Sequence, residues 1–237
     1  MTPSGPLVLR WRAVEHEPVH AGVLQTAVVE VENAGSATWR TRGPNEGLFL
    51  SYHWLDERGN PIVWDNLRTP LVRPVEPGEV LRQEFGLRGP LPPGRYRLAV
   101  DMLEENRFWL AELGNAWHEE SVDVLPRDAS GAQAFLPDGA EPADGWREHV
   151  SALHAEGYAA VGGAVEPASR LLRRRLPAAL EPYAAGGGRH PHFPHPLVCP
   201  SLLPPLEPNA EVAGLPAYRP EGDEPWMFDG RAVVRLR

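Results

Sequence analysis

Four residues toward the C-terminal end have the side chains of a metal site. His190, His192, His195 and Cys199 form an H-x-H-x2-H-x3-C run. Imidazole and thiolate are good zinc ligands. Pro191, Pro194 and Pro196 stiffen the same stretch, so only some of these side chains can converge. The spacing matches no zinc signature, and the favoured reading is a proline-rich loop with histidines facing water. No metal and no other cofactor is expected. Arg170, Arg173, Arg174 and Arg175 could grip a phosphate, with Arg170 and Arg174 on one face of a short helix. Cations also suit the C-terminal end of a helix, and that solvated end is the favoured reading. Asp101, Glu104 and Glu105, with Asp65, could hold Ca²⁺ or act as acid and base. No G-x-S-x-G and no cysteine with an assignable histidine accompanies them, so sheet-end surface charge is the simpler account.

Aromatic residues offer a different chemistry. Sugars present apolar C–H faces that stack on indole rings, and Trp54, Trp64, Trp109 and Trp117 could form such a platform. Trp54 alternates with Leu50 and Tyr52 and is read as core. Trp64 and Trp117 have polar neighbours. With Asp65, Arg68 and Glu105 they make up the expected ligand-binding set.

The elements that must carry these residues are strands. After the turn at Pro92-Pro93-Gly94, Tyr96, Leu98, Val100 and Met102 alternate with Arg97, Ala99 and Asp101. Period two means a strand with one buried face. A tyrosine at its start can bury its ring and tie its hydroxyl back to backbone, as in the tyrosine corner of Greek-key sandwiches. Similar runs occur at Leu7 to Trp11, Leu24 to Asn33, Leu48 to Leu55, Ile62 to Trp64, Leu81 to Leu87, Phe108 to Leu110 and Ser121 to Val124. Turn signals at Asn33-Ala34-Gly35, Gly59-Asn60 and Pro77-Gly78 separate several of them. Short strands at this spacing predict an antiparallel β-sandwich over residues 1–126.

Residues 127–141 lack periodicity and read as a linker. Residues 142–237 read as a small, Pro/Gly-rich α+β region. It has a helix from Pro142 to Ala155 stopped by Gly157, a strand at Tyr158 to Val161, and a terminal hairpin turning at Asp229-Gly230. Pro182 to Leu215 is expected to have little regular structure.

Composition narrows the function classes. The 237 residues are 42% hydrophobic, enough for a real core. The net charge of −9 argues against a nucleic-acid partner. All basic residues are arginine, and no function attaches to that. No apolar window is long enough for a membrane span, and Met1 to Pro6 has no secretory character. Cys199 is the lone cysteine, so an internal disulfide is excluded and a reducing, cytoplasmic location is expected.

One resemblance rests on Val31-Glu32-Asn33-Ala34-Gly35 with Trp39, Tyr52-His53-Trp54, Leu67-Arg68-Thr69, Pro77-Gly78, Pro93-Gly94-Arg95-Tyr96, Asp101 to Glu105 and Phe108-Trp109. This pattern resembles the immunoglobulin-like accessory domains attached to bacterial glycosyltransferases and other surface-polysaccharide enzymes. It is also loosely similar to the four-tryptophan domain of selective-autophagy receptors. Gly162-Gly163-Ala164-Val165-Glu166-Pro167 is similar to a segment of inverting glycosyltransferases, but the chain lacks the Asp-x-Asp of nucleotide-sugar sites. The resemblance implies a non-catalytic binding module in polysaccharide or glycoconjugate assembly, with a saccharide or a glycosyltransferase-type enzyme as partner. Two rivals stand beside it. One is a hydrolase or transferase with its site in the C-terminal half; the other is a protein-interaction domain.

Overall fold

The computed structural model describes residues 5–167, 177–185, 189–190 and 195–236. The chain divides into two units, Met1–Leu125 and Pro126–Arg237. Both are mainly β, with a small helical part. No helix among the described residues is long and apolar enough to cross a membrane.

The first unit has seven principal strands: β1 (Leu9–His16), β2 (Leu24–Asn33), β3 (Glu46–Leu55), β4 (Val80–Arg88), β5 (Gly94–Glu104), β6 (Phe108–Trp109) and β7 (His118–Val124). They form two antiparallel sheets. One has the order β1-β2-β4, and the other is built on β7-β5-β3, with β6 pairing β5. Alternation dictates what lies between them. Ala27, Val29 and Val31 of β2 and Leu81, Phe85 and Leu87 of β4 meet Leu50, Tyr52 and Trp54 of β3 and Leu98, Val100 and Met102 of β5 in one core. Trp39 and Trp54 are fully buried there, and Trp54 Nε1 donates to the Arg88 carbonyl at 2.8 Å.

Two turn residues close this core. Asn33 is buried, and its amide donates to the carbonyls of Ala37 and Val75, both at 2.9 Å. Tyr96 packs its ring into the core while its hydroxyl donates to the Pro92 carbonyl at 2.7 Å. That bond fixes where β5 begins and hence its register.

One feature departs from simple alternation. The opposite faces of β3 and β5 are also buried: Ser51, His53, Ala99 and Asp101 have essentially no exposure. Period two predicts water on that side, so something must cover it.

The second unit contains α1 (Trp146–Glu156), β8 (Ala160–Pro167), β9 (Ser201–Leu202) and β10 (Trp226–Leu236). Helix α1 begins four residues later than the sequence indicates, because Glu141–Pro142 pairs with β10 as a short strand. Gly157, at φ 121°, ends it. The stretch 127–141 is not a free linker, since Gln133–Ala134 pairs with β9 and joins the same sheet. Asp229-Gly230 does not turn a hairpin. Instead, β10 runs parallel to β8 with residues 230–232 bulged out, so that Gly163 faces Asp229 while Ala164 faces Val233. Asp229 is buried and doubly paired with Arg231 at 3.0 Å, which holds the bulge. Strand β8 continues through Gly162-Gly163, where a Cβ on Gly163 would lie 2.0 Å from the Ala232 carbonyl oxygen. Part of the segment expected to lack structure forms a small sheet from Leu197–Val198, Leu215–Tyr218 and Ala210–Val212. The short helix expected to carry Arg170, Arg173, Arg174 and Arg175 lies outside the described residues.

Removing only the Tyr96 hydroxyl tests the first core. Tyr96→Phe leaves the Pro92 carbonyl without its partner and should cost about 1–2 kcal/mol in urea unfolding. Tyr96→Ala adds a cavity and should cost about 3–5 kcal/mol. Equal midpoints for all three proteins would remove Tyr96 from the core.

Candidate functional site

The cover over the outer face of β3 and β5 is aromatic. Three separate connections deliver three tryptophans to His53. Trp64 follows Pro61–Val63, which pairs back onto β3. Trp109 lies on β6, opposite Leu103 of β5. Trp117 directly precedes β7, whose His118 faces Val100 of β5. The Trp64 indole stacks on the His53 imidazole with centroids 3.9 Å apart and planes 17° from parallel. Trp109 and Trp117 lie 4.2 and 5.9 Å from the same imidazole. Trp64 also meets both of these rings edge-on, at 6.1 and 6.3 Å.

His53 Nδ1 hydrogen-bonds to the Trp64 carbonyl. A carbonyl only accepts, so Nδ1 carries the proton and Nε2 keeps a lone pair. Burial lowers the His53 pKa, which favours this neutral form. Neither His53 Nε2 nor Ser51 Oγ has a hydrogen-bond partner among the described residues. Asp101, opposite Ser51 across the ladder, accepts N–H bonds from Met102 at 2.7 Å and Ala111 at 3.2 Å. Burial nevertheless pushes its pKa up to about 6.

Outside this layer lies a groove of about 400 Å³ lined by Trp64, Asp65, Arg68, Glu105 and Trp109 among others. Arg68 organises it. Its guanidinium contacts Asp65 at 2.7 Å and Glu105 at 2.8 Å, donates to the Asn66 carbonyl, and lies 5.8 Å from the Trp109 ring centre. Trp64 is 42% exposed, the highest of the clustered rings, so much of its surface remains open beside these charges. The structure thus brings Trp64, Asp65, Arg68 and Glu105 to one groove. Trp117 belongs to the ring cluster, with its Nε1 donating to Glu119 at 3.1 Å.

Of the carboxylates named from sequence, Asp65, Glu104 and Glu105 line this groove, and Asp101 does not. Asp101 is buried, Glu104 pairs with Arg107 at 2.7 Å, and Glu105 pairs with Arg68. Sequence reasoning missed His53 and Ser51, because a polar residue in a strand reads as a solvated position.

The histidine–cysteine run places its describable members apart in character. Cys199 is fully buried, and burial pushes its thiol up to about 12, so it is a protonated core residue and not a thiolate. His195 is exposed and meets Trp226 edge-on at 5.8 Å. His192 and the side chain of His190 lie outside the described residues. A different pair, absent from the sequence reading, joins α1 to β9: His154 Nε2 and Ser201 Oγ are 2.9 Å apart, with His154 Nδ1 on the Tyr158 carbonyl at 2.8 Å. Both side chains are buried, so the pair anchors the helix and offers no surface to a substrate.

No family model and no curated protein matches the chain. Among solved structures, it is similar to a family 123 glycoside hydrolase from Clostridium perfringens, studied for glycolipid glycan hydrolysis. The identity is 12% and the TM-score 0.26, over 45% of this chain and 22% of that one. At that score the likeness carries no argument about function.

Asp101 makes the buried layer pH-sensitive. Its folded pKa of about 6 lies above that of an unfolded aspartate, so the native state binds the extra proton between pH 4 and 6. Stability should therefore fall by about 3 kcal/mol as pH rises through that window. Asp101→Asn should flatten that part of the profile, measured as unfolding free energy against pH. An unchanged slope in the variant would show that Asp101 is not the titrating group.

Proposed function

We propose that the first unit is a non-catalytic, immunoglobulin-like module that binds a saccharide on the Trp64 platform. One observation carries this reading: a half-exposed indole, held by stacking on His53, borders a groove of fixed charged side chains. Stacking on Trp64 suits the C–H face of a pyranose, and Asp65, Arg68 and Glu105 supply donors and acceptors for its hydroxyls. Arg68 is held by three polar contacts, so a ligand meets a preorganised fork instead of a mobile chain. The site contains no activated nucleophile, which favours binding over turnover. A role alongside polysaccharide or glycoconjugate enzymes is the context in which such a module would work, and it rests on the sequence resemblance alone.

Affinity electrophoresis tests the reading. The full chain is run through native gels with and without soluble β-glucan, xylan or mannan. A polysaccharide that is bound retards the protein. Trp64→Ala should weaken that retardation on the order of tenfold, a loss of about 1.4 kcal/mol. Trp64 is half exposed, so the variant should keep its fold, checked by its melting curve. Mobility that is the same in every gel, or retardation untouched by Trp64→Ala, would overturn the proposal.

A further inference from the structure

A second cavity of about 600 Å³ lies in the first unit. Its lining includes Leu7, Phe108 and Leu113 as apolar surface and Arg40, Arg42 and Arg107 as charge. It shares Glu104, Arg107 and Phe108 with the Trp64 groove, so the two adjoin the same β5–β6 turn. That turn is tight. Asn106 takes the left-handed φ of 59°, and the Arg107 N–H donates to the Glu104 carbonyl at 3.0 Å. On one side of the turn Glu105 reaches Arg68; on the other, Arg107 pairs with Glu104 and lies 5.2 Å from the Phe108 ring centre.

The two spaces have opposite charge. The groove is lined by Asp65, Glu104, Glu105 and Glu112 against Arg68 and Arg107. The cavity is lined by Arg40, Arg42 and Arg107 against Glu104 alone. In a chain of net charge −9 this concentration of guanidinium runs against the background. Arg107 is engaged by Glu104, but the other two charges are available. The Arg42–Glu46 contact is 3.4 Å between two well-exposed side chains, a surface pair of little strength. The Arg40 side chain has no partner among the described residues.

From this we infer that the cavity is a second subsite and that it takes the carboxylate of an acidic sugar residue. The inference rests on the Trp64 platform as a saccharide site and extends it to a ligand class: an oligosaccharide with a neutral unit on Trp64 and a uronate-type unit beyond the turn. A carboxylate is planar and matches the guanidinium fork of Arg40 in bidentate fashion. Phe108 and the exposed Leu113 offer the apolar surface that the C–H face of the same residue requires, which a bare anion would leave unused.

Nitrogen-15 NMR of the full chain tests this, following the arginine Nε–Hε and tryptophan indole signals. The probes are glucose, glucuronate and inorganic phosphate at matched ionic strength. Glucuronate should shift the Arg40 and Arg42 signals and glucose should not. Arg40→Gln should weaken glucuronate binding about fivefold or more, the loss expected of one charge-assisted contact. Arg40 is exposed, so the variant should fold normally. The subsite is overturned if glucuronate moves the arginine signals no more than glucose does. It is also overturned if phosphate binds there as tightly as glucuronate, which would leave a bare anion site. A Trp64 indole that both sugars leave still, while Arg40 responds to glucuronate, would sink the platform and not the subsite.

Discussion

The structure of the candidate site depends on one buried imidazole. His53 sits on the face of β3 that points away from the core, where an antiparallel sheet ordinarily meets water. Its Nδ1–H is bound to the Trp64 carbonyl and its ring carries the Trp64 indole. Backbone and side chain of Trp64 are thereby fixed by one residue. Trp109 and Trp117 complete the enclosure, and that enclosure shields His53. Indole surface buried in that enclosure stabilises it. The result is a surface ring that is held still, which a lone tryptophan on a loop would not be.

Rigidity is what binding to a sugar needs, because each side chain ordered on association subtracts from affinity. Trp64 and Arg68 are both ordered beforehand, one by stacking and the other by ion pairs. The β5–β6 turn then sets a change of charge between the groove and the adjoining cavity. Acidic residues predominate on the Trp64 side and arginines beyond Arg107.

Much of the first unit was legible because its information is local. Alternation in β2, β4 and β5 marks one buried face. Asn33 before Gly35, and Tyr96 after Pro92-Pro93-Gly94, name turns whose side chains cap backbone. Trp54, in phase with Leu50 and Tyr52, is core, and Trp64 is not. The convergence of Trp64, Trp109 and Trp117 on His53 was not legible. It joins residues far apart in the chain through strand pairing, and no periodicity encodes which strands pair. The same limit applies to the second unit. Asp229-Gly230 carries the local chemistry of a hairpin, yet the Ala232 carbonyl approaches Gly163 more closely than any Cβ would allow, and the strand bulges and pairs in parallel. The 127–141 stretch looked unstructured because strands of two residues have no period to read.

The state of His53 is the most direct check on this account. Its imidazole nitrogen-15 shifts, followed from pH 8 to pH 4, report tautomer and protonation separately. The account predicts a neutral ring with the proton on Nδ1 at pH 7, titrating below the ordinary histidine value because burial disfavours the charged form. A ring already charged at pH 6.5, or a proton on Nε2, would mean that His53 faces water or bonds elsewhere, and the Trp64 platform would lose its support.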